Sequence, residues 1–167
     1  ADLKGGVLYD PVGKAVMKGS LCGGKGICAY YDQMAVMTKW AVANAPGFQT
    51  IGVSGLPYAD SGASAFEEVG AMLGYLRAME ERGLSVDETA AHMRFTVSIG
   101  ANLFLEIAKI RALRELWAII VKECGGSEEA AKIKLHARTS FSNKKYTTHR
   151  TISQLAAAFP RFCTIIC

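Results

Sequence analysis

The chain has 167 residues, half of them hydrophobic, with 19 lysines and arginines against 15 aspartates and glutamates and a formal net charge of +4. That length suits one domain with a real core, and no window holds the eighteen or so uncharged apolar residues of a membrane span. The charge is uneven: seven bases and no acid follow Glu129, and taking seven from nineteen leaves twelve bases against fifteen acids before that point.

The opening ADLKGGVLYDP has no basic segment followed by an apolar one, so a cytoplasmic chain is expected rather than an exported one. Cys22, Cys28, Cys124, Cys163 and Cys167 show no C-x-x-C spacing and are expected as reduced thiols without a zinc site. Residues 1–28 read as a glycine-rich segment with a turn at Asp10-Pro11 and one short helix. The run from Gly19 satisfies G-x-x-x-x-G-K through Gly24 and Lys25. Gly26, however, stands where a hydroxyl should ligate magnesium, and no strand leads in, so a connector is expected rather than a phosphate loop.

From Ala29 to Ala45 the pattern predicts a helix with Tyr30, Met34, Met37, Trp40 and Ala41 on its buried face, ended before Pro46. FQTIGVSG from Phe48 reads as a buried strand. Ser64 and Glu67 fit a capping box for one long helix carried by Phe66, Val69, Met72, Leu73, Leu76 and Met79 to a stop at Gly83. Ser85 and Glu88 make a second box for the short helix SVDETAAHM, before the strand RFTVSIG from Arg94.

The run GANLFLEIAKIRALRELWAIIVKECGG, Gly100 to Gly126, predicts a long helix capped by Asn102 and ended at Gly125. Its expected apolar face is Phe104, Ile107, Ile110, Leu113, Leu116, Trp117, Ile120 and Val121. Glu106, Lys109, Arg111, Arg114 and Glu115 are expected on the opposite, solvated face, with a helical ion pair from Arg111 to Glu115. The strand KIKLHARTS follows from Lys132. Strands alternating with helices imply parallel β/α units. The expected fold is therefore α/β: a partial (β/α) barrel over residues 29–143, with about three strands and long amphipathic helices, followed by a basic tail at 144–167. A closed eight-unit barrel takes about 250 residues, so a piece of a barrel is expected.

In such a fold ligands meet the carboxyl ends of the strands. Those ends are Ser54 to Tyr58, Ser98 to Asn102, and His136 to Ser140. His136 and Arg138 share one strand face while Ala137 points away. An imidazole beside a guanidinium suits an anion or a thioester oxygen, and a strand histidine held by structural hydrogen bonds is the plainer alternative.

Asn102, Phe104, Glu106-Ile107-Ala108-Lys109, Arg111-Ala112, Arg114 and Leu116-Trp117-Ala118 resemble the helix that follows a barrel strand in methylmalonyl-CoA mutases. Phe48 to about Asn143 resembles that family in order and spacing. The resemblance implies an acyl-CoA-binding barrel, a separate cobalamin domain, and radical isomerisation between methylmalonyl-CoA and succinyl-CoA. The family's His-x-Gln-Thr-Ser strand corresponds to His136 through Ser140, with Arg138 in place of glutamine. The catalytic Ser-Gly-Tyr-His corresponds to Ser54-Gly55-Leu56-Pro57, so Pro57 stands where the active-site histidine would be. The Arg and Ser flanking the next strand fall on His92 and Arg94.

These departures, with HARTSFSNK and Asp10-Pro11-x-Gly13, resemble the small, non-catalytic subunit. The implied substrate-binding set is His136, Arg138, Arg94, His92 and Tyr58, with no catalytic residue. The Asp-x-His-x-x-Gly motif for cobalt occurs nowhere, so adenosylcobalamin is expected on the catalytic subunit and no cofactor on this chain. The expected partner is that subunit, in a heterodimer, or a further copy of this chain; acyl-CoA is a candidate ligand, and neither a membrane nor a nucleic acid is expected. Two other readings stay open: the acyl-CoA-binding portion of an active mutase, and a binding module with a basic tail. After Asn143 the resemblance fades, consistent with either a truncated or frame-shifted small subunit or a short native tail.

Overall fold

In two of the crossovers a side chain, Asp10 or Asn102, caps the helix that follows the strand. The computed structural model describes residues 3–20, 26–72, 74–100, 102–140 and 164–165. Strand β1, Gly5–Tyr9, runs into helix α1, Pro11–Lys18, where the Asp10 side chain accepts from the Gly13 N–H and Pro11 supplies a first turn that needs no donor. Helix α2, Ile27–Asn44, leads to β2, Phe48–Ser54. Four short helices follow: α3, Leu56–Asp60, α4, Ala65–Met72, α5, Tyr75–Glu80, and α6, Val86–Ala91. The capping box expected at Ser85 and Glu88 is complete in α6. Strand β3, Met93–Ile99, then precedes helix α7, Leu103–Glu123, which Asn102 caps through the Leu105 N–H at 3.2 Å. Gly125, with φ of +76°, turns the chain after α7 in the left-handed region that favours glycine. Strands β4, Leu135–Thr139, and β5, Thr164–Ile165, complete the sheet.

The sheet has the order β1-β2-β3-β4-β5, and every neighbouring pair is parallel. Chain order and sheet order coincide, the winding of a barrel rather than of a doubly wound sheet, whose order reverses. The three expected strands are β2, β3 and β4; β1 and the two-residue β5 flank them. Strand β1 lies in the glycine-rich segment 1–28, where only a turn and one short helix were expected, and the P-loop-like residues 21–25 lie outside the described residues, as does most of the basic tail.

Helices cover one face of the sheet. Phe95, Val97, Leu135 and Ala137 are buried there against Ile110, Leu113, Trp117 and Val121 of α7. Phe95 and Trp117 meet edge to face at 4.9 Å between centroids, and the indole N–H donates to the Ala130 carbonyl at 3.0 Å. Such a ring pair contributes about 0.5–1.5 kcal/mol beyond its buried area.

Three helix expectations change. In α2 the buried face is Met34, Ala35, Thr38 and Ala41, and Trp40 is 58% exposed. Thr38 enters the core because its hydroxyl meets both the Met34 carbonyl and the Thr50 hydroxyl, each at 2.8 Å. The helix expected from Ser64 to Gly83 divides into α4 and α5, with Phe66 exposed; Leu73 and the side chain of Met72 lie outside the described residues. In α7, Phe104 is 81% exposed, whereas Glu106 and Lys109, expected in solvent, are buried. Arg111 and Glu115 form no ion pair among the described residues.

Candidate functional site

The buried charges of α7 and α4 meet at the carboxyl ends of β2 and β3. Lys109 Nζ lies 2.9 Å from Glu68 Oε2 and 2.7 Å from Glu106 Oε2, and donates to the Ser98 carbonyl at 2.6 Å. Glu68 also accepts from the Ser98 N–H at 2.8 Å and the Ser98 hydroxyl at 2.9 Å, while Glu106 accepts from the Gly100 N–H at 3.0 Å. One cation thus sits between two carboxylates in a site where desolvation is compensated only by these contacts. Glycine makes the room: a Cβ at Gly55 would stand 2.4 Å from Glu68 Oε1, and one at Gly100 would stand 3.0 Å from Glu106 Oε1. The cluster fastens two helices to the ends of two strands, which is where a barrel places its chemistry.

Asp10 does the same for β1. Its carboxylate accepts from the Gly13 N–H at 2.8 Å, from the Ser54 N–H at 3.2 Å and from the Tyr75 hydroxyl. Burial and the Asp10 charge push the Tyr75 phenol far above its ordinary value. Asp10 was expected only in a turn, without a role at the site, and Glu68 was not singled out from the sequence. Asp10's place directly after a strand and before Pro11 was the available signal; Glu68 had none, since its partner is 41 residues away.

On the sheet face away from the helices, alternation places Arg94, Thr96, His136 and Arg138, with Thr96 beside His136 and Ser98 beside Arg138 in register. Burial, then the charge of Arg94, then that of Arg138 hold the His136 imidazole below its ordinary value. Arg94 Nε and His136 Nδ1 are buried without hydrogen-bond partners among the described residues. The structure therefore brings together three of the five expected ligand residues. A cleft of about 650 Å³ opens beside them at the strand ends, lined among others by Asp10, Lys14, Ser54, Pro57 and Arg138. Two cations on its wall can meet an anion, with Ser54 as a further polar group.

The other two expected residues lie elsewhere. His92 is 2% exposed, caps the end of α6 just before β3, and its Nδ1 bonds the carbonyl of Phe48 at the amino end of β2, so its contacts are structural. Tyr58 lies on α3; burial, then Asp10 and Tyr31, raise its phenol pKa. Pro57 is buried in the first turn of α3 and lines the cleft.

Among the described residues no three His, Cys, Asp or Glu side chains are placed to hold a metal ion, and no helix is long and apolar enough to cross a membrane. A family model described as methylmalonyl-CoA mutase matches residues 1–155, which takes the likeness past Asn143 and includes the segment before α2. The methylmalonyl-CoA mutase small subunit of Streptomyces virginiae is 42% identical over 99 residues, covering 57% of this chain and 16% of its own length. The small subunit of Porphyromonas gingivalis is 34% identical over 146 residues, covering 84% of this chain and 23% of its own length. The large subunit of Propionibacterium freudenreichii subsp. shermanii is 38% identical over 103 residues, 59% of this chain and 14% of its own. This chain spans less than a quarter of the length of these relatives, and small and large subunits resemble it to similar degrees. With its parallel units wound in barrel order, the chain belongs to the methylmalonyl-CoA mutase family.

Proposed function

We propose that this chain forms part of the barrel of a methylmalonyl-CoA mutase small subunit, and that it supports a catalytic partner instead of isomerising acyl-CoA itself. One observation carries the reading. Pro57, at the place the resemblance gives to the active-site histidine, is buried in the first turn of α3 and lines the cleft, and a proline side chain can neither transfer a proton nor hydrogen-bond a thioester carbonyl. The scaffold around it is intact, since Glu68, Glu106 and Lys109 hold the strand ends in place. A cytoplasmic location suits the free thiols of Cys28 and Cys124.

Adenosylcobalamin belongs in this reading to the catalytic partner, because the residues here do not fit it. A metal-bound imidazole is oriented by a second hydrogen bond, commonly to a carboxylate. His92 has such a bond, to the Phe48 carbonyl, but is only 2% exposed and sits at the amino ends of the strands, away from the cleft, and His136 stands between two guanidiniums with no partner on its Nδ1 among the described residues. Co-expression with a large subunit tests the proposal: the two chains should purify together in constant ratio. A large subunit that assembles and turns over equally well without this chain overturns it.

The cluster of Arg94, His136 and Arg138 beside the cleft favours a second reading, in which the chain holds the acyl-CoA ester or its phosphates. Titration calorimetry with methylmalonyl-CoA separates the two, since absence of heat at millimolar ligand leaves the supporting role alone. The third reading, a module binding polyanions through its basic tail, requires salt-dependent retention on a polyanion.

A further inference from the structure

The open face of the sheet carries three basic groups and no acid that meets them. Arg94 on β3, and His136 and Arg138 on β4, form no ion pair among the described residues. Arg94 Nε and His136 Nδ1 are buried there with no hydrogen-bond partner. Buried polar and cationic groups are costly until an anion or a set of acceptors joins them. Both guanidiniums stand where the family resemblance gives an uncharged residue, serine for Arg94 and glutamine for Arg138, so this positive patch is the chain's own.

Strand register supplies the rest of a site. Ser54, Thr96 and His136 lie in one row across β2, β3 and β4, on the face away from α7. Neighbours in such a row are about 4.8 Å apart, and residues two apart along a strand are about 6.6 Å apart. Arg94 therefore stands one step before the row and Arg138 one step after it. Both are close enough to His136 that, after burial, their charges hold the imidazole below its ordinary value.

The row is reachable and its donors are available. Ser54 and Arg138 both line the cleft of about 650 Å³. The Ser54 hydroxyl accepts from the Leu56 N–H at 3.3 Å, which leaves its own hydrogen to donate. Asp10, in the same lining, is occupied by the Gly13 and Ser54 N–H groups and the Tyr75 hydroxyl. Gly52, in register with Arg94, adds no side chain to close the space.

We propose that this row is an oxyanion site for a doubly charged group of the phosphate type, with Arg94 and Arg138 meeting two of its oxygens and Ser54, Thr96 and His136 donating to the others. Two fixed cations match two negative charges, and donors on three strands at three heights suit a tetrahedral group better than a planar carboxylate. The proposal gives another ligand to the residues of the second reading above and does not depend on the supporting role.

Inorganic phosphate titrated into the full chain at constant ionic strength tests it, with binding heat and the His136 proton resonances followed together. Saturable heat is expected, together with a rise in the His136 titration midpoint, because a dianion beside the ring favours the imidazolium. Chloride at equal ionic strength should produce neither. Arg94→Gln and Arg138→Gln should each weaken phosphate binding on the order of tenfold, the loss of one charge-assisted contact. Lys132→Gln, at an exposed base outside the row, should leave it unchanged. Should either arginine variant fail to fold, the unsubstituted chain decides the matter through its heat and its His136 midpoint. Absence of saturable heat at millimolar phosphate overturns the proposal, as does binding that leaves the His136 midpoint unmoved. A response to methylmalonyl-CoA without one to inorganic phosphate also overturns it, and assigns these residues to the ester.

Discussion

Lys109 Nζ lies 2.9 Å from Glu68 Oε2, although the two residues are 41 positions apart and both side chains are only 2% exposed. Removing the cation leaves two buried carboxylates facing each other at the ends of β2 and β3. Lys109→Met should therefore cost about 3–5 kcal/mol, the usual penalty for orphaning buried charges. Urea unfolding followed by circular dichroism measures this as a lowered midpoint or the loss of a cooperative transition. An unchanged midpoint would show that the cluster contributes nothing to the fold.

Gly55 is coupled to the same cluster through space. Gly55→Ala drives a Cβ against the Glu68 carboxylate and should destabilise the chain by about 1–3 kcal/mol as overpacking does. Combining it with Glu68→Ala should remove that penalty, leaving the double variant close to Glu68→Ala alone. Strict additivity of the two changes would mean that the collision is absorbed elsewhere.

Tyr75 ties α5 to the Asp10 carboxylate. Because burial first and Asp10 second raise its phenol above 10.0, the stability held by the protonated form is complete below pH 10 and is lost as pH rises above it. Tyr75→Phe should cost about 1.5–3 kcal/mol at neutral pH, typical of a hydrogen bond to a charged group, and should flatten the alkaline fall in stability. Paired denaturation curves at neutral and alkaline pH measure both effects.

The open sheet face makes a prediction on the acid side. Burial, Arg94 and Arg138 depress the His136 imidazole below 6.5, so the stability tied to its neutral form is present above pH 6.5 and is lost as pH falls through the folded value. Proton NMR should show His136 titrating below 6.5, with Arg94→Gln raising its midpoint more than Arg138→Gln. Equal effects of the two substitutions, or none, would contradict the arrangement.

The extent of the main elements was legible because it depends on local chemistry. The caps at Asn102 and Ser85, the β2 and β3 strands and the shared face of His136 and Arg138 follow from spacing and from side-chain donors and acceptors a few residues apart. What spacing does not carry is the angle at which a helix meets the sheet. Leu105, Leu116 and Ile119 are as apolar as Leu113, so periodicity alone could not say which arc of α7 is buried. Lys109 and Glu106 read as solvated because their burial depends on Glu68, on another helix. Strand β1 was missed for a related reason: its five residues begin with two glycines, and it exists through its pairing with β2, Gly5 beside Phe48. His92 was placed at a ligand site when its partner is the Phe48 carbonyl, 44 residues away.

The central claim is that this chain is scaffold without catalysis, and turnover tests it most directly. Methylmalonyl-CoA and adenosylcobalamin are added to the purified chain alone, and separately to the chain assembled with a large subunit, and succinyl-CoA is measured. The account predicts product only from the assembly. Succinyl-CoA formed by this chain alone would contradict it.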